Sequence, residues 1–287
     1  MGAARRFLMR RSIGPALGCS RVAGKALIAA LLALALAACA LNPVGPAQPR
    51  LDALLPADAI LLGEQHDAPA HQQIQLAVVE ALAARGQLAA LALEMAERGT
   101  STAQLARDAT AQQVQAALRW NTAGWPWDRY APVVMAAVRQ GVPVLGANLP
   151  REAMRQSMSD TRLDGHLAAS ALGQQREAIR VGHCDLLPAE RLMPMVRIQL
   201  ARDASMAGTV LDAAKPGQTV ILVAGGGHVL RDRGVPTHLP PSMRVRTVLA
   251  VAGPSTAELA LASDLVWHTP ALAPRDHCAE LARQLKR

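Results

Sequence analysis

Aromatic side chains are almost missing from this 287-residue chain, which has one Phe, one Tyr and four Trp. Phe7 lies in the first 38 residues, so beyond them only Trp120, Trp125, Trp127, Tyr130 and Trp267 remain. Four of these five fall between 120 and 130, which argues against a large aromatic-lined pocket elsewhere. Cysteine is also scarce: Cys19, Cys39, Cys184 and Cys278, with no Cys-x-x-Cys pair. The helical metalloprotease motif His-Glu-x-x-His is absent, and so is Gly-x-Ser-x-Gly, which makes serine hydrolysis a poor reading. Gly225-Gly226-Gly227 lacks the third glycine of a dinucleotide fingerprint, because Leu230 stands there, and it lacks the Gly-Lys-Ser/Thr ending of a P-loop. No internal repeat is present.

The first 38 residues contain no Asp or Glu but hold Arg5, Arg6, Arg10, Arg11, Arg21 and Lys25. A 13-residue apolar run, Ala26–Ala38, follows and ends in Leu36-Ala37-Ala38-Cys39. A basic start, an apolar core of that length and a small-residue cleavage site make a secretory signal, and the run is short for a membrane span. The ending resembles a bacterial lipobox, which implies cleavage before Cys39 and a diacylglyceride on its thiol. Ala40, rather than Asp, points to the outer membrane, with the domain facing the periplasm. Residues 39–50, with Pro43, Pro46 and Pro49, form a tether.

The formal net charge of +8 belongs largely to that leader. Without its six basic residues, 24 cations face 22 carboxylates, a net of +2, so the basic pI is no argument for nucleic acid. Attachment to a membrane would fall to the lipid. An oxidising periplasm permits Cys184 and Cys278 to pair, but spacing alone leaves a disulfide and two buried thiols equally open.

Residues 51–287 read as a single α/β domain with a mostly parallel sheet, flanking helices and a helical subdomain. Apolar runs at 59–62, 88–93, 142–145, 219–224, 248–251 and 265–267 predict strands. Helices are expected over 69–85, 128–140 and 188–214, with shorter ones in 100–118 and 150–180. Gly86 sits where a C-cap glycine belongs. Met193, Met195 and Met206 at helical spacing read as packing.

The organising stretch is Ile60–His71, in which a strand stops at Gly63 and Glu64, His66, Asp67 and His71 follow. Right-handed crossovers bring parallel strand ends to one edge, where open α/β sheets bind ligands. That edge should collect Glu64, His66, Glu94, Asn148 and His228. Two carboxylates and two imidazoles suit a divalent transition metal such as Zn, Mn, Fe or Co. A metal there could activate water, with Glu64 or Glu94 as general base. The plainer alternatives are a polar loop at 64–71 and an ion pair from Glu94 to Arg98. Arg151 could grip a carboxylate or phosphate, or make a surface ion pair. Arg202 and Asp203 could be a buried pair supporting the site. The 120–130 cluster could stack on a planar ligand or form a satellite core.

Several motifs occur in one order: Gly63-Glu-Gln-His66, Glu94, Trp127-x-x-Tyr130-x-Pro132, Asn148-x-x-Arg151, His183-Cys184, Arg202-Asp203-x-x-Met206 and Gly225-Gly-Gly-His228. Together they resemble the ChaN-like haem-binding lipoproteins, within a group that includes Tiki-type proteases and erythromycin esterases. The resemblance spans about residues 50–245 and implies an outer-membrane lipoprotein that binds haem for iron acquisition. It further implies a homodimer with haem at the interface and an axial tyrosine. By position the ligand is Tyr130, with Trp125 and Trp127 flanking the porphyrin and His183 among the supporting residues. Glu64, His66, Glu94 and His228 match metal positions of the protease and esterase relatives. Relatives commonly carry Gly-Asn-Gly-His where this chain has three glycines. The reading that follows is haem binding, with an outer-membrane haem receptor as a further partner. A metal-dependent peptide or ester hydrolase is the alternative, and an inert receptor-docking scaffold is a third.

Overall fold

The computed structural model describes residues 51–285; the expected signal, Cys39 and the tether lie outside them. Six strands form one parallel sheet: β1 (Ala59–Glu64), β2 (Leu88–Glu97), β3 (Val144–Asn148), β4 (Thr219–Gly225), β5 (Val245–Ala252) and β6 (Leu265–Thr269). Their order across the sheet is β3-β2-β4-β1-β5-β6, every pair parallel. Central strands of such a sheet are covered on both faces, which is why they read as continuous apolar runs. All six residues of β1 and all seven of β4 are buried.

Alternation along each strand divides these side chains between two cores. Ile60, Leu62, Ile221 and Val223 pack beneath α1 (Pro69–Ala84) and α3 (Trp127–Arg139). Ala59, Leu61, Val220 and Leu222 face Met206, Ala207 and Val210 on the opposite side. Those three belong to α6 (Ala189–Ala213), the longest helix described. The first half of α6, on which α4 (Arg151–Ser159) also packs, and α5 (Ala169–Gly182) enclose a third core of Leu167, Ala171, Ile179, Val196 and Leu200. This is the expected helical subdomain. The methionines of α6 are packing residues, Met206 in the sheet core and Met193 and Met195 against the third core.

Between Thr100 and Leu118 only α2 (Ala111–Ala117) is an α-helix, opened by the capping box of Thr110 and Gln113. Ser101 bridges Leu145, and the Thr102 hydroxyl accepts the Val144 N–H at 2.9 Å, because the open edge of β3 offers unpaired backbone groups. The other expected strands and long helices are present within a few residues. After β6, α8 (His277–Leu285) is tied to the turn following α5 by a Cys184–Cys278 disulfide, with Cα atoms 5.5 Å apart. The short α7 (Ala257–Leu261) precedes β6.

Candidate functional site

β1 and β4 end side by side, with Glu64 in register with Gly225. The Glu64 carboxylate is buried, so each lone pair needs a donor. Gln72 and Gln75, one turn apart on α1, donate to Oε2 at 2.6 and 2.5 Å. The Tyr130 hydroxyl donates to Oε1 at 2.6 Å, and His66 Nδ1 lies 2.7 Å from the same atom. These amides were not foreseen from sequence. Two glutamines on the buried face of an otherwise apolar helix were the available signal.

Glu94 does not close its strand as expected. β2 runs on to Glu97, but its pairing with β4 stops at Leu93 and its register with β3 shifts after that residue. The shift frees Glu94 to turn into the sheet's carboxyl edge. There Oε2 accepts the Gly225 N–H at 2.6 Å, and Oε1 accepts the Arg202 guanidinium. His66 Nε2 and His228 Nε2 lie 3.9 and 3.6 Å away. Burial works against ionised Glu94, but the charges of His228, Arg202 and His66 outweigh it and hold the carboxyl below its ordinary pKa. A Cβ on Gly225 would stand 3.0 Å from His66 Nε2, so the bare backbone gives the ring its place.

Behind Glu94, His228 Nδ1 is 2.6 Å from Asp203 Oδ1. Burial disfavours the imidazolium, yet Asp203 and Glu94 raise the His228 pKa above its ordinary value. Burial raises Asp203 as well. At His66, burial is again outweighed, by the Glu64 hydrogen bond and the Glu94 charge, and the pKa is raised. Arg202 Nε donates to Asn148 Oδ1 at 2.9 Å, tying α6 to the end of β3. His71 is buried away from the cluster, with Nδ1 accepting the Gln65 N–H and Nε2 on the Thr269 hydroxyl.

The aromatic cluster divides between the two readings. Tyr130 is 0 % exposed and Trp127 8 % exposed; both belong to the core, and Trp127 meets Trp120 edge-on at 5.0 Å. On α3 residues 127 and 130 share one face, and that face turns toward the sheet. Trp127 therefore does not flank an open pocket, and the Tyr130 hydroxyl is committed to Glu64. Burial, the Glu64 charge and that hydrogen bond push Tyr130 far above its ordinary pKa, the reverse of what a tyrosinate needs. Trp125 is partly exposed and meets the His66 ring edge-on at 4.8 Å.

Trp125 forms a wall of an open cleft of about 330 Å³ in front of Glu94. Arg119, Asn148, Arg151, Met154 and Arg202 also line it. Arg119 and Met154 were missed at the level of sequence. The expected site residues thus assemble, with exceptions: Tyr130 and Trp127 lie behind it, and His183 caps α5 with Nδ1 on the Ile179 carbonyl.

The expected divalent-metal site finds no support in this geometry. Among the described residues no group of three or more His, Cys, Asp or Glu side chains is arranged to hold a metal ion. Glu64 is engaged by four donors, and the Arg202 guanidinium supplies Glu94 with the positive charge a metal would bring.

A family profile described as haem-binding uptake, Tiki superfamily, ChaN, matches residues 50–239. The chain belongs to this family. Among solved structures, ChaN of Campylobacter jejuni, described as binding haem cofacially, superposes with a TM-score of 0.59 at 26% identity, covering 73% of this chain and 86% of that one. A Bacillus cereus protein matches at 13% identity and a TM-score of 0.44, covering 74% and 71%. No curated protein matches. Haem-binding ChaN membership directs attention to the cleft. Its indole wall suits a macrocycle face, and its arginines suit propionates. The fit lacks one part, since the only tyrosine of the chain does not line the cleft.

Proposed function

We propose that this chain is a lipid-anchored outer-membrane protein that takes haem for iron uptake into the cleft beside Glu94. The observation that carries the reading is one open cleft combining the partly exposed Trp125 indole with arginine cations. A haem offers a flat apolar face and two carboxylates, and these two features answer them. Trp125 covers one face of a bound macrocycle. The other face is left for a second haem or a second chain, consistent with a homodimer. The cofacial arrangement described for the C. jejuni protein supports that stoichiometry. The Cys184–Cys278 disulfide supports an oxidising compartment, as the Cys39 lipobox implies.

Axial ligation by Tyr130 would require its hydroxyl to leave Glu64, which would keep the two glutamines and His66 as donors. The buried state described above disfavours that step, so iron ligation by Tyr130 is a second reading, resting on the motif alone. The test is a haemin titration of residues 40–287, read in the Soret region and by sedimentation. Saturable binding with two chains and two haems per particle supports the proposal. Binding that does not saturate, or that survives intact in Trp125→Ala, overturns it. Cys39→Ser should release the full chain from the outer-membrane fraction.

A further inference from the structure

Three unlike features meet at the rim of the cleft. The first is a pair of free cations. Arg202 is neutralised by Glu94, but among the described residues the Arg119 and Arg151 guanidinium groups have no carboxylate within ion-pair distance, although both line the cleft. Glu97, a carboxylate that also lines the cleft, accepts the Arg151 backbone N–H at 3.2 Å instead of its guanidinium.

The second feature is backbone strain. Arg119 follows α2 with φ +46°, the left-handed region in which glycine is the ordinary residue. Its neighbour's N–H reaches back to the Gln115 carbonyl at 2.9 Å, the closing bond of a helix end that normally carries glycine. Any Cβ at that φ is crowded against the neighbouring backbone carbonyl, and that side chain is directed to the cleft. The third feature concerns the iron. Proteins ligate haem iron with His, Cys, Met or Tyr. No His, Cys or Tyr is among the residues lining this cleft, and its thioethers are Met154 and the buried Met95.

Resting on the proposed haem site, we infer that the cleft recognises porphyrins by their propionates, through Arg119 and Arg151, and by a macrocycle face against Trp125, independently of the iron. Its ligand class is the dicarboxylate porphyrins, metal-free as well as metallated. Each guanidinium pairs with one carboxylate in a charge-assisted hydrogen bond. Esterified porphyrins, which keep the flat face but lose both negative charges, fall outside the class.

The experiment compares haemin, protoporphyrin IX and protoporphyrin IX dimethyl ester on the same protein, by quenching of tryptophan fluorescence. Protoporphyrin IX is expected to bind within about threefold of haemin, and the diester at least about tenfold more weakly, since two charge-assisted contacts are lost. Arg151→Gln should weaken haemin and protoporphyrin IX alike, by about tenfold. Arg119→Gly should do the same while raising the midpoint of urea unfolding, because glycine relieves the strained φ. That pairing of weaker binding with higher stability separates a ligand contact from a structural role. Haemin binding without protoporphyrin IX binding would overturn the inference and leave the haem reading standing. Equal affinity for the diester would overturn the propionate contacts. If no porphyrin binds, both fall.

Discussion

The Tyr130 hydroxyl donates to Glu64 Oε1 at 2.6 Å, in a site closed to water on the side of α3. This bond makes the chain's single tyrosine part of the support for the strand-end carboxylate. Removing the hydroxyl takes one of four donors from a buried anion, which costs about 1–3 kcal/mol. Tyr130→Phe should therefore lower the urea midpoint while leaving the Soret maximum of the haem complex unchanged. A normal midpoint with a lost or shifted Soret band would instead make Tyr130 an iron ligand.

Trp125 stands apart from the rest of the aromatic cluster, since it meets the cleft and Trp127 does not. Trp125→Ala should weaken haemin binding by about tenfold, the scale of a lost aromatic stack, with little change in thermal midpoint. Trp127→Ala should do the reverse, costing about 3–5 kcal/mol of stability as a large core truncation. Calorimetry and titration on the two variants decide the matter.

The cluster also fixes how stability should vary with pH. His228 is raised, with Asp203, Glu94 and Arg202 facing it, so the folded chain holds a proton that the unfolded chain has released. That contribution is complete below the ordinary value of 6.5 and is lost as pH rises through the raised folded value. His66 acts in the same sense. Glu94, which is lowered, acts oppositely: its contribution is present above 4.5 and is lost as pH falls through the depressed value. Above neutrality, unfolding free energy should fall by about 1.4 kcal/mol per pH unit for each proton so held. His228→Gln should flatten that slope in urea titrations between pH 6 and 9, and an unchanged slope would remove His228 as its source.

The Cys184–Cys278 bridge closes a loop with a sequence separation of 94. A loop of that size restricts the unfolded chain by about 4–5 kcal/mol in the chain-entropy account. The double Cys→Ser variant should melt at a clearly lower temperature than the oxidised protein, and reductant should lower only the latter. Equal melting of all three would mean that α8 contributes nothing to the cooperative unit.

The sequence by itself determined the sheet, because strands buried on both faces must be written as short apolar runs. It also determined which residue types reach the carboxyl edge, since Glu64, Asn148 and Gly225-Gly-Gly-His228 follow those runs directly. The order of those motifs carried the family. Other features depended on contacts across the fold. The Glu94 pairing with Arg202 spans 108 residues, and nothing local to either announces the other. Periodicity shows that residues 127 and 130 share a helix face, but not whether that face meets a ligand or the sheet. Tertiary packing turned it inward, so Tyr130 and Trp127 became core and Trp125 alone was left to the cleft. The metal reading found no support for a related reason. Sequence counts donors, whereas only the assembled structure reveals that two glutamines, a tyrosine and an arginine already occupy them.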